Sequence, residues 1–243
     1  MALSLLAACG GGGGSDKEPT PLVELEAIDE DFVNFGTMEG FTYSTDWSII
    51  EKVQIPADAD TSVGGWHFFR GSAWNDVEGD IAIQFTYGSP TGVYAWVEKG
   101  GWVPVRKDVT LTKGEWYTVC LQYDYASMTL ELYVDGSAGY VSTTVTPMDD
   151  QTNTNLLYWG GQENHANTAT YGDLYSEVDV TFAHQAWFQR LLTAPEIDAY
   201  DGTVNDSDPY LFFSPQITDS AVNDASGNGH DGTNGNTPVY YSE

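Results

Sequence analysis

The strongest constraint on the fold is a run of alternating side chains in residues 114–136, GEWYTVCLQYDYASMTLELYVDG. Its second half has apolar residues at every other position: Met128, Leu130, Leu132 and Val134. A period of two places such a set on one face of a β-strand. Turn-forming residues interrupt the run at 124–127 and end it at 135–136. The pattern predicts an antiparallel hairpin with one apolar face over a core.

A second stretch with the same signal is DIAIQFTYGSPTGVYAWVE, residues 80–98. Its aliphatic residues alternate on both sides of a turn at 88–92, so Tyr94 and Trp96 face outward if the aliphatic set faces the core. Further strands are predicted at 47–55, 66–69, 139–146, 156–159 and 178–187. Many short strands separated by frequent turns predict an all-β, two-sheet antiparallel sandwich, in which Trp116 joins Leu130, Leu132 and Val134 between the sheets.

One short helix is predicted within LLTAPEIDAYDG, residues 191–202. Thr193 and Glu196 have the spacing of a capping box, and Gly202 follows the end of the segment. Ile197 and Tyr200 supply its apolar side.

The charge of the chain limits its partners. Among 243 residues, 36 acids outnumber eight Lys and Arg, for a formal net charge of −28. Nucleic acids and anionic membrane surfaces carry the same sign and repel such a chain. Two interpretations of the acidity remain open, solvation in a salty habitat and the binding of cations. The length suits one large domain with appendages.

The N-terminal residues LSLLAACGGGGGS resemble the end of a bacterial lipoprotein signal peptide, although no basic residue precedes the apolar run. The resemblance implies lipidation of Cys9, export, and display at the cell surface or outer membrane, with membrane contact through the lipid alone. Cys120 would then lack a disulfide partner and behave as a small buried hydrophobe. We expect a signal segment at 1–9, a flexible tether at 10–28, a sandwich domain at 29–202, and a C-terminal segment at 203–243 that packs on the sandwich.

The hairpin together with EVDVTFAHQAWFQRLLTAPEIDAY, residues 177–200, resembles a laminin-G-like domain of the concanavalin A-like superfamily. GGQENHA, residues 160–166, is similar to a calcium loop of the pentraxin branch. The resemblance implies a jelly-roll sandwich whose curved face or edge loops bind glycans, glycoproteins or other surface ligands, often with calcium.

The pentraxin resemblance also implies four calcium ligands: Asn75, Asp76, Glu163 and Asn164. Their oxygen atoms suit Ca²⁺, although His165 stands where the family has a further acid. A second candidate site lies in NDASGNGHDG: Asn223, Asp224, Asn228 and Asp231. The alternative for both sets is that Asn and Asp serve tight turns.

The aromatic residues form the candidate ligand site. Sugars present apolar C–H faces that stack on aromatic rings, and the alternation directs Tyr94, Trp96 and Trp102 away from the core. Packing of these rings beneath loops is the alternative.

A catalytic interpretation begins from SEVDVTFA, residues 176–183, which nearly matches a glucanase signature on the same fold. Retaining glycosidases need two carboxyl groups ~5–5.5 Å apart. Glu177 and Asp179 are present, but Thr181 replaces the second glutamate and cannot protonate a leaving group. The sequence therefore favours a non-catalytic, calcium-assisted surface module that binds glycans or glycoproteins, over a glycoside hydrolase. The other alternative is a self-assembling structural subunit of an extracellular surface filament, layer or virion.

Overall fold

The computed structural model describes residues 22–25, 32–59, 65–71, 80–86, 91–99, 101–146, 156–160, 179–202, 204–205, 207–218, 220–235 and 238–241. Within these ranges, no helix has the length and apolar character needed to cross a bilayer.

The described residues are mostly in short β-strands. In chain order these are β1 (Leu22–Leu25), β2 (Phe32–Thr37), β3 (Trp47–Gln54), β4 (Gly65–Gly71), β5 (Ile81–Thr86), β6 (Gly92–Glu98), β7 (Trp102–Asp108), β8 (Trp116–Asp124), β9 (Thr129–Val134), β10 (Val141–Thr144), β11 (Leu156–Trp159), β12 (Val180–Phe188), β13 (Leu211–Phe213), β14 (Pro215–Ile217), β15 (Val222–Asp224), β16 (Thr233–Gly235) and β17 (Val239–Tyr241). The helix α1 (Ala194–Asp198) lies between β12 and β13.

Two antiparallel sheets form the sandwich. The eight-stranded sheet has the order β10-β9-β8-β3-β12-β1-β17, and β13 also pairs with β12. The seven-stranded sheet has the order β16-β2-β11-β4-β5-β6-β7. A separate pair joins β14 to β15. The residues after α1 therefore contribute strands to both sheets, since β13 and β17 join the first and β16 joins the second. The all-β sandwich with one short helix is confirmed.

The main core lies between the sheets and follows the predicted alternation. Leu130, Leu132 and Val134 of β9 are buried in it, as are the aliphatic residues of β5 and β6. Burying such side chains contributes roughly 1.5–3 kcal/mol each. The faces of β5, β6 and β9 that were predicted to be buried are therefore the ones that pack in the core.

Two of the predicted core residues lie elsewhere. Met128 belongs to the β8–β9 turn with φ 56° and is 41% exposed, because the turn occupies 125–128 and β9 begins only at Thr129. Trp116 starts β8, whose core-facing residues are Tyr117, Val119, Leu121 and Tyr123. Alternation along β8 puts Trp116 on the opposite face, so its predicted position between the sheets was wrong.

A second apolar cluster lies on the outer face of the eight-stranded sheet. Its buried members are Ile50, Cys120, Tyr133, Ala186, Phe188, Leu192, Ile197 and Leu211. Leu192 and Ile197 come from α1 and the segment before it, which cover the sheet here, and Leu211 comes from β13 beside β12. The Cys120 thiol is fully buried, as predicted. Tyr133, on the face of β9 opposite the predicted apolar set, is buried because this second layer covers it.

The helix that covers this cluster begins as its sequence predicts but ends at Asp198, before Tyr200, which was expected on its apolar side. The backbone N–H of Thr193 donates to Glu196 Oε2 at 2.7 Å, in a capping box. Beyond the helix, Gly202 has φ +96°, and a Cβ there would lie 1.7 Å from His184 Cδ2. Only glycine suits this close approach to the sheet.

Candidate functional site

The predicted ligand-binding aromatics of β6 lie on the outer face of the seven-stranded sheet. Val93, Ala95 and Val97 point into the core, whereas Tyr94 and Trp96 are partly exposed on the other side. Because the two residues are two positions apart on one strand, their side chains are neighbours. Their rings are parallel, with centroids 5.6 Å apart and planes inclined by 9°. Together they form a stacked aromatic pair on this face of the sheet.

The neighbouring strand β7 extends this surface. Arg106 pairs with Tyr94, Pro104 with Trp96, and Trp102 with Glu98. Val103 and Val105 pack on the core, so Trp102, Pro104 and Arg106 share the face of the β6 aromatics. We call this surface the aromatic face; it consists of Tyr94, Trp96, Trp102, Pro104 and Arg106.

Contacts within the aromatic face hold Arg106 in place. Its guanidinium carbon lies 4.5 Å from the centroid of the Tyr94 ring, a cation–π arrangement. Nη1 of Arg106 also donates to the hydroxyl of Tyr94, and Nε forms an ion pair with Asp108. The planar guanidinium is therefore oriented before any ligand arrives, which lowers the entropic cost of using it.

Two polar side chains lie beside the aromatic face, one on β5 and one at the end of β6. On β5, Gln84 pairs with Tyr94 and is partly exposed, while Ala82, opposite Trp96, is small. At the far end of β6, Glu98 is buried and its Oε1 accepts a hydrogen bond from the backbone N–H of Gly101. Glu98 therefore fixes the turn into β7 and so the position of Trp102.

The aromatic residues of this face were predicted from the sequence as ligand contacts, and that role stays a prediction; Arg106 and Gln84 were not among them. Both lie on strands flanking β6, and their place depends on pairing register. The signal was present in the short turn between β6 and β7: counting outward from it pairs Arg106 with Tyr94.

The first set of predicted calcium ligands, Asn75, Asp76, Glu163 and Asn164, lies outside the described residues, as does the lipidation candidate Cys9. In the described part of the chain, no group of three or more His, Cys, Asp or Glu side chains is arranged to hold a metal ion. The calcium site stays a prediction.

Three residues of the second set of predicted ligands make turn-forming contacts, whereas Asn223 lies exposed in β15 opposite Gln216. Asp224 accepts hydrogen bonds from the backbone N–H groups of Ser214 at 3.1 Å, Ser226 at 3.0 Å and His230 at 3.2 Å. Asp231 Oδ1 accepts from the Asp224 N–H at 2.8 Å, and Asn228 Nδ2 donates to the Phe212 carbonyl at 2.7 Å. These hydrogen bonds connect the turn that follows β15 to the end of β13. Asn and Asp commonly make such side-chain to backbone bonds in turns.

The structure describes two of the three residues singled out in the glucanase-like signature. Glu177 lies outside the described residues, and Asp179 directly precedes β12. Thr181 is buried within β12, between Glu24 of β1 and Gln54 of β3.

Comparison with solved structures places the fold among carbohydrate-binding and laminin G modules. A protein from Bacteroides ovatus ATCC 8483, described as carbohydrate binding, superimposes with TM-score 0.63 and 12% identity over 93% of this chain; the chain spans only 60% of that protein. The heptameric SAP-like pentraxin of Limulus polyphemus gives TM-score 0.52 and 10% identity over 95% of this chain and 92% of its own. Domains LG4-5 of the mouse laminin alpha1 chain give 0.52 and 15% over 79% of this chain and 48% of theirs.

Sequence comparison is more decisive about the family. The search of curated proteins finds no match to the chain. A family model of laminin G type, described as the concanavalin A-like lectin/glucanases superfamily, matches residues 33–198. That range runs from β2 to α1 and covers more than half of the chain. The chain therefore belongs to the laminin G-like branch of the concanavalin A-like lectin/glucanases superfamily.

Proposed function

We propose that this chain is a non-catalytic carbohydrate-binding module and that the aromatic face is its ligand site. The observation that carries the proposal is the parallel pair of Tyr94 and Trp96 on an outer sheet face, flanked by Arg106 and Gln84. The apolar C–H face of a sugar ring stacks on such rings, and the flanking side chains donate to or accept from its hydroxyl groups. Aromatic surface of this kind gives contact area at low conformational cost.

Two further observations support the proposal. The protein from Bacteroides ovatus described as carbohydrate binding shares the fold over 93% of this chain. A non-catalytic role agrees with Thr181, because its hydroxyl cannot supply the proton that a second glutamate gives in retaining glycosidases.

The proposal includes location and calcium. The chain would be exported and displayed at the cell surface through a lipid on Cys9, and calcium would bind at Asn75, Asp76, Glu163 and Asn164 to assist recognition of glycans or glycoproteins. Intact-mass analysis of protein from its native membrane tests the anchor, and an unmodified N-terminus at Met1 would contradict it.

A glycan array probed with and without calcium, followed by calorimetry on the best neutral ligand, tests the binding site. Trp96→Ala should lower affinity about tenfold or more, because it removes an aromatic anchor. It should leave the unfolding midpoint nearly unchanged. Leu132→Ala should instead cost about 2–5 kcal/mol of stability by opening a core cavity.

Tyr140→Ala is the matched control. Tyr140 is 53% exposed and its ring lies 5.3 Å from that of Tyr133, but it directly precedes β10 of the other sheet. Its loss should leave glycan affinity unchanged. Normal binding by Trp96→Ala would move the site away from the aromatic face, and no glycan binding by the intact chain would exclude the function.

A further inference from the structure

The cationic residues of this acidic chain are concentrated in one place. Residues 99–113 hold four of its eight Lys and Arg but only one of its 36 acids, Asp108. Everywhere else, acids greatly outnumber cations. The local excess of positive charge therefore requires its own explanation.

This stretch includes β7, the edge strand of the seven-stranded sheet, and so borders the aromatic face. Its cations have different positions. Lys113 donates through Nζ to the carbonyl of Ala59 and ties down a loop. Lys107 alternates with Arg106 and lies on the side of β7 that carries Val105. Of these three, Arg106 alone lies on the aromatic face.

The surroundings of Arg106 suit a carboxylate ligand. The guanidinium lies against Tyr94 and already binds one carboxylate, that of Asp108. The Asp108 side chain is 66% exposed and that of Arg106 26%, so solvent screens this ion pair from the Asp108 side, although Nε itself is buried. A carboxylate held by sugar stacking on the neighbouring Trp96 can compete with it. Planar guanidinium and carboxylate groups match in shape, and their hydrogen bonds are charge-assisted.

Protection of an exposed sheet edge is the competing explanation. Pro104 and the charges of β7 do hinder pairing of this edge with another strand. Either sign of charge serves that purpose, however, and this chain uses acids almost everywhere else. Edge protection therefore explains why β7 is charged but not why it is positive.

We propose that the aromatic face selects glycans that carry a carboxylate, such as uronic or sialic acid residues, and that Arg106 determines this specificity. The inference rests on the proposed carbohydrate-binding function. In it, the sugar ring packs on Trp96 while its carboxylate binds Arg106, which lies over the neighbouring Tyr94 ring. The overall charge of −28 disfavours anionic ligands at long range, so recognition depends on this local contact and not on the field of the whole molecule.

The test uses pairs of ligands that differ mainly in the charge of the carboxylate: trigalacturonic acid with its methyl ester, and sialyllactose with its methyl ester. Calorimetry on the full chain should show about tenfold tighter binding of the acid in at least one pair. Arg106→Gln should abolish that difference, because it should weaken binding of the acid far more than binding of the uncharged partner. Asp108→Asn should raise the affinity for the acid, because it removes the competing carboxylate.

Lys107→Gln is the matched control, since it removes the same charge from the adjacent residue on the other side of β7. An equal loss of acid binding in Lys107→Gln would mean that overall charge acts, and would overturn the role of Arg106. Equal binding of acid and uncharged partner by the intact chain would overturn the inference while the proposed function stands. Failure to bind either member of both pairs, with no hit on the neutral glycan array, would overturn both.

Discussion

At the scale of single residues, the least expected feature is a polar group in the centre of the sandwich. Glu51 is fully buried, and its Oε2 accepts a hydrogen bond from Gln185 Nε2 at 3.0 Å. Gln185 Oε1 in turn accepts from the indole N–H groups of Trp159 at 3.0 Å and Trp187 at 3.2 Å. One amide thereby contacts three buried polar groups and links the two sheets. Such groups are costly to bury without partners.

Gln185→Leu should therefore lower the free energy of unfolding by about 2–5 kcal/mol, because it leaves a buried carboxylate and two indole N–H groups without this partner. Chemical denaturation monitored by tryptophan fluorescence measures the change. Gln54→Leu is the control: the Gln54 amide donates to the Gly114 carbonyl at 2.8 Å in an exposed position, where water can replace it. That variant should change stability by less than about 0.5 kcal/mol. Equal changes in the free energy of unfolding would mean that the buried hydrogen bonds of Gln185 stabilise the fold no more than the exposed one of Gln54.

At the scale of elements, the sequence was sufficient to predict the buried face of a strand where aliphatic residues alternate. It was insufficient where aromatic residues occupy both faces of the strand. In β5, β6 and β9 the aliphatic residues alone indicate the buried side, and hence the outward direction of Tyr94 and Trp96. In β8, Trp116 and Tyr117 lie on opposite faces, and their sequence does not indicate which is inside. The pairing partners of a strand were harder still to predict from the sequence. Arg106 joins the site only through the register of β6 and β7, and the pairing of β12 with β3 shifts register between Phe182 and His184.

The layer over the outer face of the eight-stranded sheet was also not predictable, because it forms from segments distant in sequence. α1 and β13 bury Cys120, and this burial, with smaller effects from the charges of Glu131 and Glu51, raises the pKa of the thiol.

The helix is held by Glu196, which accepts from Thr193 and from Arg190 Nη2 at 2.7 Å. The Arg190 hydrogen bond, more than any other contact, lowers the pKa of Glu196 to about 2. Cys120 should therefore report when this layer detaches.

Glu196→Gln in a Cys9→Ser background should accelerate labelling of Cys120 by a thiol reagent about fivefold, because losing the charged contact to Arg190 costs ~1 kcal/mol of local stability. Mass spectrometry of the labelled peptide measures the rate under native conditions. Glu115→Gln removes an equivalent charge from an exposed site and should leave the rate unchanged. If both variants label at the parental rate, Cys120 is exposed only when the whole domain unfolds, and α1 does not open separately.

At the scale of the whole molecule, the acidity has two physical consequences that experiments can separate. With a net charge of −28, the folded state is destabilised by self-repulsion, and any salt should relieve this by screening. A specific site would add stabilisation only for the ion that it binds, by an amount that grows with ion concentration. Mg²⁺ screens as Ca²⁺ does but demands smaller, octahedral coordination, so the two ions distinguish the cases.

Millimolar CaCl₂ should therefore raise the unfolding midpoint more than MgCl₂ at the same concentration, and more than NaCl at the same ionic strength. Glu163→Gln should remove the excess due to calcium, because it deletes a predicted ligand. Asp224→Asn should behave differently: it should lower the midpoint in every salt, since its carboxylate holds backbone N–H groups of the turn after β15, while the excess due to calcium persists. Scanning calorimetry of the three proteins in the three salts measures both effects. Equal shifts with Ca²⁺ and Mg²⁺ in the parent chain would leave screening as the whole effect of cations, and the acidity would then reflect solvation alone.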